Sequence, residues 1–382
     1  MATGSERASG GAGGGSVDFD RTAWIALALT PGIGEARLEA LLAAFGSAAA
    51  VLDAPAAALR AVPGIGTALA TALRDRTRAD GVQAATQAEN AGGRILIPAD
   101  AGFPAALRQI PEPPPVLFAQ GRLQLLDQPA IAIVGSRDHT AYGAEACRLI
   151  ASHAAAAGIV VVSGMARGLD AVAHAAALEV GGATIGVLGN GLGVVYPAAN
   201  RELYDRVAAL GLLLTEFPPG ERPSAGSFPR RNRLISGLAR LTIVVEAAIG
   251  SGAIITADAA LQQGRDVAAV PGPITSRTSI TCNRLIRDGA TPVTELADLH
   301  AFYPDVRAWP EIEPVAPRLR PLPTSLSTAE RAVADALGSA PADADTLARR
   351  FDRPVGLLLA QLGMLEIAGV VEQRPLGTFR RI

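Results

Sequence analysis

The chain is 382 residues long, 49% hydrophobic and 18% charged, with a formal net charge of −2. That length suits two or three domains with ample core material, and a charge near zero excludes attraction to a polyanion by the whole-molecule field, leaving only local patches. No lysine occurs, which excludes a Walker phosphate loop, a lysine Schiff base and a Ser-Lys dyad, each of which needs an ammonium group.

Residues 1–18 are rich in Gly, Ala and Ser without an apolar period and are expected to form a disordered tail. With no signal peptide and only short, interrupted apolar runs, a cytoplasmic protein without a membrane span is expected. Residues 19–92 read as an all-helical domain with an internal echo. Pro31-Gly32-Ile33-Gly34 precedes Leu38, Leu41 and Leu42, and Pro63-Gly64-Ile65-Gly66 precedes Leu69 and Leu73. The copies look like paired helix-hairpin-helix motifs, whose glycines let backbone N–H groups approach a phosphate. A packed hairpin that touches nothing is the alternative, and the mixed charges of Glu35, Arg37, Arg74, Asp75 and Arg76 do not decide between them. Residues 93–127, with the runs 94–98 and 111–118, are expected to link this domain to the next and extend it.

Residues 128–305 carry short apolar runs that end in small or polar loops, most of them leading into Ala-rich helical stretches: 131–134, 158–163, 183–189, 241–246 and 267–270. This is the pattern of a doubly wound, mostly parallel sheet, in which ligands sit beyond the carboxyl ends of the strands. The loops therefore carry the candidate site. Gly135-Ser136-Arg137 follows the first run, and Ser163-Gly164-Met165-Ala166-Arg167-Gly168 follows the second. Without GxGxxG they offer no dinucleotide fingerprint, but their hydroxyls and guanidiniums suit phosphate oxygens. Asp170 and His174 lie one helical turn apart, either as an acid/base pair or as a helix-start group and a core residue. In Gly189-Asn190-Gly191 the glycines permit close approach, and Asn190 reads a base edge or holds a turn.

The most charged stretch is Phe228-Pro229-Arg230-Arg231-Asn232-Arg233, where a helix should begin after Pro229. Arginines so spaced suit consecutive phosphates, and Phe228 suits stacking on an unpaired base. Ion pairing is a weaker alternative, Glu221 being the only acidic partner close before the cluster. Ser251-Gly252 begins a further helix that reads as an anion nest. Cys147 and Cys282 form no CxxC and four His supply no ligand cluster, so neither a metal, a cofactor nor a disulfide is expected. After a Pro-rich linker at 306–325, residues 326–382 read as three helices and two strands, the order of a winged helix. The third helix holds Leu357, Leu358, Leu359 and Leu362 and no Arg, a poor major-groove reader, which favours a packing or partner role. Arg349, Arg350, Arg353, Arg374, Arg380 and Arg381 leave room for an auxiliary contact.

The runs IAIVGSR (131–137), SGMARGLDAVAH (163–174), ATIGVLGNGLGVVYP (183–197), FPRRNRLISGL (228–238), VVEA (244–247), SGAIITADAALQQGR (251–265) and NRLIRDGA (283–290), in this order and spacing, resemble the DprA (Smf) family of bacterial DNA-processing proteins. The resemblance implies a Rossmann-like core flanked by a helix-hairpin-helix (SAM-like) domain and a winged helix. It also implies a homodimer that binds single-stranded DNA, protects incoming strands during natural transformation and loads the RecA recombinase. Carried over by position, the strand pocket falls on Ser136, Arg137, Gly164, Asn190, Phe228, Arg231, Asn232 and Arg233; the loop reading adds Arg167, Gly191, Arg230, Ser251 and Gly252. The chain departs from the family at Thr281, where a glycine is usual, and in its basic groove, where the family often has lysines and this chain can offer only Arg. An enzyme reading, a nucleoside-monophosphate phosphoribohydrolase of the LOG type, needs the glutamate of a PGGxGTxxE loop, and here the helix opens Ala253-Ile254-Ile255-Thr256-Ala257 with no carboxylate before Asp258.

Overall fold

In the computed structural model, residues 14–311, 322–337, 342–374 and 377–381 are described. The chain divides into two compact units between Pro310 and Glu311, each taken by itself below.

The first unit is built on one sheet, with nine strands among the described residues: β1 (Arg94–Leu96), β2 (Leu117–Gly121), β3 (Ala130–Val134), β4 (Val160–Ser163), β5 (Thr184–Val187), β6 (Leu212–Thr215), β7 (Leu241–Val244), β8 (Asp266–Ala269) and β9 (Thr291–Pro292). Their order is β1-β2-β6-β5-β4-β3-β7-β8-β9. Strands β3 to β9 run parallel, whereas β2 pairs antiparallel with β6, and β1 with β2. Residues 93–127 thus do more than link domains, since they supply the antiparallel edge of the sheet.

Strand β3 is buried throughout because helices cover both faces. Its side chains alternate between two cores. Ala132 and Val134 pack with Leu234, Ile235, Ala253 and Ala257 of helices Ser227–Leu238 and Gly252–Gln262. Ile131 and Ile133 pack with Cys147, Ile150, Leu169 and Ala173 of helices Ala141–Ala156 and Leu169–Glu179. From β3 the chain winds outward through β4, β5 and β6, then crosses back to place β7 on the other side of β3. The loops leaving β3 and β7 therefore diverge, and a crevice opens between them, as it must where strand order reverses.

The N-terminal helices build their own core around Leu27, Leu41, Leu59 and Leu73. The echo seen in the sequence is real in the backbone: Gly32 and Gly64 both adopt left-handed conformations, φ +87 and +81, which a side chain disfavours. Arg37 reaches between the two turns and donates to the Gly32 carbonyl at 2.6 Å. Helix Gly14–Ala28 begins inside the stretch expected to be a tail; the rest of that tail, residues 1–13, lies outside the described residues. The expected linker also starts late, because Val306 and Trp309 still pack on the core of the first unit.

The second unit follows the winged-helix order. Helices Thr328–Leu337, Ala344–Phe351 and Val355–Ile367 accompany β10 (Ala342–Asp343), β11 (Val371–Arg374) and β12 (Thr378–Arg381), in the sheet order β10-β12-β11. Leu337, Leu347, Leu358, Leu362, Leu365 and Phe379 form its core.

Candidate nucleic-acid interface

The crevice at the carboxyl ends of β3 and β7 is a cleft of about 490 Å³. Ser136, Arg137, Phe228, Arg231, Asn232, Ser251 and Gly252 all line it. A smaller recess of about 180 Å³ adjoins it, lined by Gly164, Arg167, Asn190, Tyr196 and again Arg137 and Phe228. Ten candidate positions spread over more than a hundred residues are thus brought to one place by the sheet topology. Gly191 is turned away, its N–H donating to the Glu221 carbonyl at 2.9 Å.

Phe228 is the half-buried hinge between cleft and recess. Its ring packs against Tyr196 with centroids 5.6 Å apart, and the Arg137 guanidinium carbon lies 5.7 Å from its centroid. Arg137 and Arg167 are exposed, and neither makes an ion pair among the described residues. Two unpartnered cations beside an aromatic face and the N-terminal ends of several helices suit phosphate oxygens and a base.

The three arginines of helix Ser227–Leu238 have different environments, because successive residues point to different sides of a helix. Arg231 turns inward and is almost wholly buried. It donates to the carbonyls of Gly164 and Val187 and to Asn232 Oδ1, and burial lowers its guanidinium to about 10. Arg230 and Arg233 turn the other way, and both ion-pair with Glu216 at 3.0 Å, the carboxylate being 1% exposed. Ion pairing, the weaker alternative in the sequence, thus holds two of the three. Asn232 donates to the Gly252 carbonyl at 3.2 Å, tying this helix to the start of the next. Glu216 was not legible as a partner. Its one signal is that it follows directly on the apolar run 212–215.

Asp170 and His174 form no acid/base pair. Asp170 accepts from the Gly164 and Ala166 N–H groups at 3.1 and 3.4 Å. Burial pushes its carboxyl above the ordinary range, against the opposing pull of Arg231 and those amides. His174 is fully buried, its Nδ1 2.7 Å from Thr184 Oγ1, whose own hydroxyl donates to the Val161 carbonyl. Nδ1 is therefore the donor, and Nε2 accepts from the Met165 N–H at 3.4 Å. Burial first, and then the Arg231 charge, push the imidazole down to about 3, so it stays neutral. Both residues hold the β4 loop in place. Asn190 likewise spends its amide on the Gly191 and Val194 carbonyls, holding its turn. Glu246, at the end of β7, accepts from the Thr140 N–H and hydroxyl at 2.9 and 2.6 Å and so steadies the start of helix Ala141–Ala156. Among the described residues no group of three His, Cys, Asp or Glu side chains could hold a metal, and no helix is long and apolar enough to cross a membrane.

Comparison with known proteins decides the family. Residues 94–304 match the family model of DNA recombination-mediator protein A, residues 317–376 that of the DprA winged helix domain, and residues 26–79 that of a SAM-like helix-hairpin-helix tandem. The chain belongs to the DprA (Smf) family. Protein Smf of Synechocystis is 33% identical over 94% of this chain and 98% of its own length, and Protein Smf of Escherichia coli is 40% identical over 75% and 77%. Among solved structures, DNA processing protein A of Streptococcus pneumoniae superposes with a TM-score of 0.62 at 32% identity, covering 75% of this chain and 95% of that one. The Helicobacter pylori DprA, solved for its single-stranded DNA binding mode, gives 0.52 at 28%, covering 57% and 99%. The three-part DprA architecture expected from the sequence is the one observed.

Proposed function

We propose that this DprA-family chain binds single-stranded DNA in the cleft between the β3 and β7 loops and does so without turnover. The observation that carries the reading is the exposed, unpaired Arg137 beside the Phe228 ring, with Arg167 on the rim of the same recess. Phosphates are clamped by these guanidiniums and a base stacks on the aromatic face. The bound strand is an incoming strand of natural transformation, protected in the cytoplasm by a homodimer and handed to RecA, a role supported by the family and by the strand-binding relative from Helicobacter pylori.

A hydrolytic role has little support. The carboxylates lining the cleft are Asp138 and Asp170, the second is engaged by backbone amides, and helix Gly252–Gln262 lacks the LOG glutamate. Gel-shift titration of the full chain against single- and double-stranded oligonucleotides at two salt concentrations tests the proposal. Preferential single-strand binding that weakens with salt is expected, and equal or stronger binding of duplex contradicts it. Incubation with nucleoside monophosphates should release no free base.

A further inference from the structure

The loop that carries Arg137 runs from Gly135 to Thr140, between β3 and helix Ala141–Ala156, and both of its ends are tied to one residue at the end of the neighbouring strand. The Ser136 N–H donates to the Glu246 backbone carbonyl at 2.7 Å. At the other end the Glu246 carboxylate accepts from the Thr140 N–H and hydroxyl, and the Thr140 hydroxyl oxygen accepts in turn from the Gly143 N–H at 3.1 Å. A third donor, the Thr278 hydroxyl in the connection between β8 and β9, reaches the same carboxylate at 3.1 Å. Glu246 is buried, and the helix presses on it so closely that a methyl group on Gly143 would overlap its carboxylate. It lines neither the cleft nor the recess, so anything it does for a bound strand is done through the loop.

The second cation belongs to the same assembly. Arg167 precedes Gly168, which opens helix Leu169–Glu179 with a φ of +80 that a side chain disfavours. A methyl group on Gly168 would lie 2.5 Å from the Ser136 and Arg137 carbonyl oxygens and 2.7 Å from the Arg137 Cα, so the two loops touch backbone to backbone there. The Leu169 N–H completes the contact by donating to the Ser136 carbonyl at 3.2 Å. Long side chains on exposed loops lose affinity to their own freedom unless the backbone beneath them is fixed by buried hydrogen bonds. Here that support converges on one carboxylate.

We propose that Glu246 is the positioning residue of the strand grip: its carbonyl and carboxylate set the Arg137 loop, and that loop sets Arg167 through Gly168. This role rests on the binding mode proposed above, and hydrogen exchange tests it independently, since it needs no DNA. In the full chain, Glu246→Ala should speed amide exchange in residues 135–140 and 164–168 while the N-terminal helices exchange as in the parent. It should also weaken single-strand affinity roughly tenfold, yet by less than about twofold when added to Arg137→Ala/Arg167→Ala, where nothing is left to position. A residue that served stability alone would act equally in both backgrounds. Thr140→Val, at an exposed position, removes only the hydroxyl contact and should move both readouts the same way by a smaller amount, which keeps the test open if Glu246→Ala folds poorly. Parent-like exchange in both loops, or an equal loss of affinity in both backgrounds, overturns the proposal. Loosening confined to residues 135–140 overturns the link through Gly168. Parent affinity for Arg137→Ala/Arg167→Ala refutes the binding mode instead, and the exchange result still decides the role of Glu246.

Discussion

Arg231 and Asp170 face each other across the Cα of Gly164, so closely that a methyl group on that carbon would lie 2.6 Å from the guanidinium and 2.7 Å from the carboxylate. One of the three arginines that the sequence offers as phosphate clamps is thus a strut inside the fold. Removing it strands a buried carboxylate and two carbonyls, so Arg231→Ala should cost about 3–5 kcal/mol of stability, and Gly164→Ala about 1–3 kcal/mol by overpacking. Denaturant unfolding reads both. An Arg231→Ala protein as stable as its parent but unable to bind a strand would return Arg231 to the surface role.

Phe228 is half-buried and touches Tyr196, Arg137 and the space over Gly189. Phe228→Ala should weaken single-strand affinity by about 1–3 kcal/mol, the worth of one base–aromatic stack, while the dependence on salt stays the same. Fluorescence anisotropy with a labelled oligonucleotide at several salt concentrations checks this. A change in salt slope alone would mean that the ring acts through Arg137.

Glu216 holds Arg230 and Arg233 from a buried position. Neutralising it leaves two guanidiniums without their counter-charge, so Glu216→Gln should lower the thermal midpoint without lowering strand affinity. Loss of binding at unchanged stability would show that the ion-paired arginines are the main grip.

The parallel half of the sheet was legible because β3, β4, β5, β7 and β8 are apolar runs cut off by Gly or polar residues. Strand β6 was not, since only Gly211 separates its leucines from those of helix Arg201–Leu210, and the apolar period runs on across the boundary. Strands β1 and β2 hid among prolines. At the site, residue types were readable and their partners were not. The Glu216 carboxylate lies fourteen residues before Arg230 across a loop, and helical geometry alone decides that Arg231 points inward while its neighbours point out. The choice between an acid/base pair and structural roles for Asp170 and His174 needed the Thr184 and Met165 contacts, which no spacing reveals.

His174 gives the fold a pH dependence. Its folded value, about 3, lies below its ordinary 6.5, so the unfolded chain binds a proton that the folded chain refuses. The stability it contributes is complete above about pH 6.5 and is lost as pH falls toward 3, at about 1.4 kcal/mol per pH unit. His153, which is also lowered by burial and by His300, adds in the same direction. Unfolding midpoints from pH 7 to pH 4 should fall more steeply for the native chain than for His174→Gln, which cannot titrate. Parallel curves would show that His174 does not set the pH dependence.

In the proposed binding mode Arg137 and Arg167, rather than the cluster at 230–233, hold the strand's phosphates. The most direct test is the salt dependence of single-strand affinity for Arg137→Ala/Arg167→Ala beside Arg230→Ala/Arg233→Ala. Two lost phosphate contacts should weaken binding and make the slope of log affinity against log salt shallower by about 1.4 in the first variant, with little change in the second. Wild-type affinity and slope in the first, together with collapse in the second, would place the phosphate grip on the cluster at 230–233 instead.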